Sequence, residues 1–336
     1  METRVFTTSE EDIAEAGRVL ARGGLVAFPT ETVYGLGADA MNGAAVKAVY
    51  AAKGRPSDNP MIVHIADFPE IEKLTPRITP LMKCLMEAFW PGPMTLVVPK
   101  VAGIPDETTG GLDTVGIRMP SDPVAREFIR KSGCPIAAPS ANTSGRPSPT
   151  RADHVLQDMD GKIHGIIRGG DCQVGIESTV IDVTGSNPVI LRPGIITKDQ
   201  IQKVVAGLGC QAEIDPALLS QGPQSADFKP KAPGMKYKHY APKAEMFIVS
   251  GGEDAVNSKI QSLKQEYEKA GKKVGVLLFS GEDLETAAHD FFRRLRDFDD
   301  DNTDVILAGA LSQEDGVGFA VMNRMLKSAG YSIIEA

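Results

Sequence analysis

Apolar residues recur at helical spacing near the start of the chain. Ile13, Ala16, Val19 and Leu20 form one stripe, and Gly23-Gly24 ends it. Thr8 with Glu11 three residues on predicts a capping box at the start of this helix. The pattern then shortens: LVAF (25–28) enters a strand, and a second helical stripe near Ala44–Lys53 stops at Gly54 with Pro56 beyond it. MIVHI (61–65) reads as a buried strand, and 78–90 as a helix closed by Pro91-Gly92-Pro93. Strands follow at MTLVVPK (94–100) and TVGIRM (114–119), then a helix near Val124–Ser132 and the short strand PIAAP (135–139). KIHGIIR (162–168), STVIDV (178–183) and PVILR (188–192) are further extended runs, and a helix started by Thr197 covers QIQKVVAG (200–207). Strands outnumber helices and alternate with them irregularly. This predicts an α/β unit with a mixed, twisted open sheet, not a doubly wound parallel one. No GxGxxG follows the first strand, which disfavours a dinucleotide fold.

From about Glu213 to Lys243 the periodicity disappears among Gly, Pro, Ser and Lys. Such long loops are usually lids or spacers. The half APGMKYKHYAP (232–242) carries two tyrosines, a methionine and a histidine, which suit contact with a ligand. Beyond it, MFIVSG, VGVLLFSG and DVILAG predict three strands, each followed by a helix (253–270, 286–298 and 317–328). That is βαβαβα, a smaller Rossmann-like three-layer unit with a parallel sheet. The expected division is 1–210, a linker and lid at 211–243, and 244–336.

Composition agrees with two cores: 336 residues, 42% hydrophobic, with 34 Gly and 23 Pro shaping many loops. No apolar run approaches the roughly 18 residues that span a bilayer. The N-terminus turns acidic and helical at once, unlike a secretory signal, so a cytoplasmic setting is expected. Cys84, Cys134, Cys172 and Cys210 form no CxxC pair and supply neither a zinc set nor a disulfide framework. The net charge of -8 makes a poor non-specific nucleic-acid binder. Residues 222–243 run against it, with five lysines and one aspartate, so positive charge there needs a local purpose.

Five stretches place polar groups beside predicted strand ends. PTETVYGLG (29–37) delivers Thr30, Glu31 and Thr32 into a glycine bend; KGRPSDNP (53–60) sets Lys53 and Arg55 astride a glycine. A point charge and a bidentate fork together suit phosphates, although basic residues at a helix C-terminus also serve simply as dipole partners. Arg118 lies between Ile117 and Met119 in a strand, hence on the face opposite both, and needs an anionic partner. APSANTSGRPSPT (138–150) crowds hydroxyls into a turn, and GIESTVID with ILRPG adds Glu177, Ser178, Thr179 and Arg192. His64 is either a hydrogen-bonding ring or a satisfied core histidine. There is no P-loop and no nucleophile elbow. The inventory suits positioning and charge neutralisation of a phosphoryl compound, not covalent catalysis.

These motifs, in this order and across essentially the whole chain, closely resemble the two-domain form of the Sua5/YrdC family of L-threonylcarbamoyladenylate synthases. The resemblance implies a YrdC-like mixed-sheet domain with a concave basic cavity and a smaller C-terminal domain. It implies a nucleotidyltransferase reaction joining L-threonine, bicarbonate and ATP to give threonylcarbamoyl-AMP and pyrophosphate. Partner proteins would then transfer the threonylcarbamoyl group to adenosine 37 of tRNA, leaving tRNA contact by this chain indirect. Carried over by motif, Arg55, Asn59, Thr114, Ser140, Ser148 and Arg192 are expected at the nucleotide. Thr32, His64, Arg118, Ala138 through its backbone and Ser178 are expected at threonine or its carbamoyl product. Lys53 resembles the family's phosphate-binding lysine, and Tyr237 the residue that closes over the nucleotide. Lys53, Arg55 and Arg118 are the expected catalytic set. No protein metal site is expected; Mg2+ is expected to accompany ATP, held mainly through the phosphates. Two alternatives stand beside this reading: a double-stranded RNA or tRNA-binding module, and carbamoyl transfer from carbamoyl phosphate, whose larger proteins carry zinc-finger cysteines this chain lacks.

Overall fold

A computed structural model describes residues 2–219, 230–235, 239–279, 283–311 and 316–336. Tyr237, the expected closing residue, lies outside the described residues. The strands of the first unit are β1 (Arg4–Phe6), β2 (Val26–Phe28), β3 (Gly35–Asp39), β4 (Ile62–His64), β5 (Met94–Pro99), β6 (Thr114–Arg118), β7 (Ile136–Ala137), β8 (Gly165–Ile167), β9 (Thr179–Asp182), β10 (Val189–Arg192) and β11 (Glu213–Ile214). They form one mixed sheet in the order β1-β8-β2-β3-β7-β4-β6-β5-β9-β10-β11. Parallel pairs such as β4–β6 are mixed with antiparallel ones such as β5–β6, as the irregular alternation of strands and helices predicts.

Its helices are α1 (Glu10–Ala21), α2 (Gly43–Lys53), α3 (Pro80–Phe89), α4 (Asp106–Thr109), α5 (Pro123–Ser132), α6 (Ala152–Met159) and α7 (Lys198–Val205). The elements β1, β3, α4 and α6 were not expected, and two further details differ at the ends of the unit. The N-cap of α1 is Ser9, not Thr8: Ser9 is extended and its hydroxyl accepts the Asp12 N–H. The linker starts with structure, because Glu213–Ile214 pairs with β10 and Pro216–Leu218 makes a 3-10 turn. Two polar-flanked residues are too few to show a period.

Strand alternation sorts the side chains onto two faces. Val63, Leu96, Ile117 and Ile190 point into one core with α2, α3 and α7. On the other face α1 and α5 cover Phe6, Val26, Phe28, Ile136 and Ile167, at one end of the sheet. The rest of that face, at Ile62, Val97, Val180 and Leu191, receives no helix; Ala232 and Met235 of the linker lie on it. An open half-face beside a helix-covered half is the concavity.

The second unit is a parallel sheet of β12 (Glu245–Ser250), β13 (Val274–Leu277), β14 (Val305–Gly309) and β15 (Ile333–Glu335), ordered β13-β14-β12-β15. The fourth strand was not expected; Ile333–Glu335 is short and largely exposed, so it lacks the apolar run that marks its neighbours. Helices α8 (Glu253–Lys269), α9 (Leu284–Asp300) and α10 (Val317–Ser328) complete it. The helices α9 and α10 face the first unit, where Val33 and Ile176 join their core, while α8 packs on the outer side. Among the described residues, no helix is long and apolar enough to cross a membrane.

Candidate active site

The cavity over the open half-face has a volume of about 60 Å³. Strand parity explains much of its wall. His64 and Ile62 share a face of β4, and Arg118, opposite Ile117, shares that face of β6. Arg192 breaks the rule. Ile190 points to the far core and Leu191 to the open face, so regular alternation would turn Arg192 away. A register shift between Ile190 and Arg192 re-aims it into the cavity.

Of the residues expected at the nucleotide, Arg55, Ser140 and Arg192 line the cavity. Arg55 donates to the Asn59 and Pro60 carbonyls at 3.1 and 2.8 Å, which places buried Asn59 beside it. Arg192 donates through Nε to the Ser178 carbonyl and through Nη2 to its hydroxyl, both at 3.1 Å. Ser148 sits just behind the wall, its hydroxyl donating to Glu177 at 2.6 Å. Thr114 stands apart. It opens β6 opposite Pro99, roughly 13 Å along the strand from Arg118 at about 3.4 Å per residue. Lys53 does not line the cavity either. Its ammonium donates to the carbonyls of Ser140 and Asn142, holding the hydroxyl-rich turn from below.

The residues expected at threonine come together. Thr32, His64, Arg118, Ala138 and Ser178 all line the cavity. Arg118 donates to the Thr32 hydroxyl at 2.8 Å, and Ser178 shares a hydrogen bond with Thr95 at 2.7 Å. Ala138 donates its N–H to Ile62, fixing its backbone at the rim.

The charges here are held out of water. Burial, then repulsion from Arg118, pushes the His64 ring down to about 3, so it is neutral. Burial also lowers Lys53 well below the usual lysine value, and lowers Arg55 to about 10. Among the described residues, the buried polar side-chain atoms without a hydrogen-bond partner belong, Ser328 apart, to Arg55, Asn59, His64 and His239, and to Glu31 and the Nη2 of Arg118, which meet only each other as an ion pair. Orphaned polar groups are rare in folded proteins, and their gathering around one cavity marks it as a binding site.

Four groups at this site escape the expected set. Glu31, 6% exposed at its side chain, faces Arg118 at 2.8 Å as an ion pair. Glu177 lines the cavity, and His239 and Tyr240 close its roof beside Pro233 and Gly234. The glutamates lie within the quoted motifs but their aim is tertiary. His239 and Tyr240 stand in the aromatic half of the linker, the one signal available for them. Among the described residues, no group of three His, Cys, Asp or Glu could hold a metal ion.

Comparison with known proteins agrees with this geometry. Residues 18–194 match the family model Sua5_yciO_yrdC, described as telomere recombination, and residues 196–330 match the C-terminal domain of threonylcarbamoyl-AMP synthase. The chain belongs to the Sua5/YrdC family. A Pyrococcus abyssi relative of this Sua5/YrdC chain, named threonylcarbamoyl-AMP synthase, is 48% identical over 97% of this chain and 96% of its own length. A Bacillus subtilis protein of the same name is 46% identical, covering 99% and 97%. The crystal structure of P. abyssi Sua5 complexed with L-threonine superposes with a TM-score of 0.93 at 46% identity, over 99% of this Sua5/YrdC chain and 100% of that one.

Proposed function

We propose that this chain is an L-threonylcarbamoyladenylate synthase, and that its cavity binds L-threonine and ATP side by side. The observation that carries the reading is the convergence of Arg55, Arg118 and Arg192 with a neutral His64 in one buried pocket. Arg118, with Thr32 and Ser178 beside it, suits the threonine carboxylate and hydroxyl. Arg55, Asn59, Ser140, Ser148 and Arg192 suit the nucleotide, and Thr114 would serve its far end. Lys53 acts through the turn it holds as well as by its charge.

The threonine amine attacks bicarbonate or its CO2 to give a carbamate and water. A carbamate oxygen then attacks the α-phosphorus of ATP in line, forming threonylcarbamoyl-AMP as pyrophosphate leaves. A carbamate is short-lived in water, so the enclosed cavity serves the chemistry directly. A cavity of about 60 Å³ is far below the roughly 300 Å³ or more of ordinary ligand sites. The part of the linker carrying His239 and Tyr240 therefore moves to admit ATP and returns over it, with Tyr237 as its expected closing residue. Mg2+ enters as part of the nucleotide substrate, carried on its phosphates. A cytoplasmic setting and a downstream transferase acting on tRNA position 37 complete the reading.

Replacing Arg55 or Arg118 by Ala is expected to abolish threonine-dependent pyrophosphate release from ATP and bicarbonate. Release at the wild-type rate in both variants would overturn the assignment. Wild-type turnover without any RNA separates the enzyme from an RNA-binding module.

A further inference from the structure

The helix α10 belongs to the second sheet, yet two of its side chains bind residues of the cavity wall and roof from behind. Arg324, fully buried, donates through Nε to Glu177 Oε2 at 3.1 Å and through Nη2 to the Glu177 carbonyl at 3.3 Å. Its Nη1 donates to the Pro193 carbonyl, just after Arg192, and to Ala320 within α10. Glu177 has its other oxygen occupied by the Ser148 hydroxyl. Lys327, one turn along α10, donates to the carbonyl of Gly234 in the roof and to Asn323, both at 2.9 Å. One helix face thus grips the cavity wall and the cavity roof.

We propose that Arg324 is a positioning residue of the active site, holding Glu177 and through it the Ser148 hydroxyl, while Lys327 fastens the roof segment at Gly234. The second sheet thereby completes a site built on the first. This rests on the functional reading above. The physical need is clear. A carboxylate at the wall of a site for phosphates repels them unless its charge is compensated and its direction fixed. Burial alone would raise the Glu177 carboxyl; the charges of Arg324 and Arg192 and the Ser148 hydrogen bond outweigh burial and hold it below the usual carboxylate range. Arg324 occupies Oε2, so Oε1 remains for the Ser148 hydroxyl. Lysine could supply the charge but not three donors in one plane.

The test compares the full-length wild type with R324K, R324Q and the R324Q/E177Q pair. Pyrophosphate release gives kcat and the KM for ATP, and thermal melting gives stability. R324Q is expected to lower kcat/KM for ATP roughly 10- to 100-fold, the range for one charged hydrogen bond. R324K should recover part of it. The double variant removes both buried charges, so it should regain the melting temperature that R324Q loses while staying as slow as R324Q. If it regains both stability and rate, Arg324 merely neutralises a buried carboxylate and the proposal falls; wild-type kinetics in R324Q would also overturn it. Should R324Q fail to fold, the double variant carries the comparison. A wild type without threonine-dependent release would sink the functional reading instead. Calorimetric titration with ATP then decides Arg324: weakened binding in the double variant supports its positioning role, and unchanged binding overturns it.

Discussion

Three buried rings set how the protein responds to acid. His64, His154 and His239 are each pushed down to about 3, first by burial and then by a nearby arginine. The His154 Nδ1 accepts the Thr150 N–H at 3.3 Å, a bond that requires an unprotonated nitrogen. Between the unfolded value near 6.5 and the folded value near 3, the unfolded chain binds protons that the folded chain refuses. Stability therefore falls as the pH drops through that window, by about 1 kcal/mol per pH unit for each ring. Urea midpoints should decline measurably between pH 7 and pH 5.5, before the carboxylates titrate. A flat midpoint across that range would mean the rings are protonated in the fold. None of these shifts can be read from a His in a sequence; MIVHI shows only that His64 interrupts an apolar strand.

At the scale of elements, alternation along β6 placed Arg118 on the face opposite Ile117 before the fold was known. The same reasoning fails at β10, where the register shift turns Arg192 to the opposite face. No residue type announces that irregularity; it arises from pairing with β9. One contact between the two units is a close backbone approach. Gly175 has a φ of +81°, and a Cβ there would lie 2.3 Å from the His289 carbonyl of α9. Gly175→Ala should destabilise the protein by about 1–3 kcal/mol, by strain and by pushing α9 away. Thermal melting checks it, and an unchanged midpoint would show that α9 has room to retreat. By contrast, Thr197 with Gln200 forms the full capping box on α7, a feature contained in four consecutive residues.

For the molecule as a whole, the second unit is bound by buried charge as well as by apolar packing. Arg296, 1% exposed, donates to Asp158 at 2.9 Å and to the Pro147 carbonyl at 2.6 Å, beneath the hydroxyl-rich turn. Arg146 reaches both Asp158 and Asp299. Cutting the chain after Gly209 would strip Asp158 of Arg296, leaving it Arg146, strip Glu177 of Arg324, uncover Val33 and Ile176, and remove β11. The shortened protein should keep its fold, with the main sheet core intact, but release pyrophosphate at least roughly tenfold more slowly, the scale of losing one charged hydrogen bond. Full activity in the shortened chain would show that neither the roof nor α10 matters to turnover.

The sequence by itself determined most strands and helices and the face of β6 that carries Arg118, because period and caps are properties of near neighbours; the short elements β1, β3, α4, α6, β11 and β15 carry too little pattern to be read. Its motifs also carried the family and most of the cavity wall. Only the tertiary structure decided that five separate stretches share one pocket. It also decided that Lys53 is turned onto carbonyls beneath the pocket, and that Glu177 is gripped from 147 residues away by Arg324. Those outcomes depend on which distant surfaces must be buried against each other. Local patterning limits that choice of partners but does not make it.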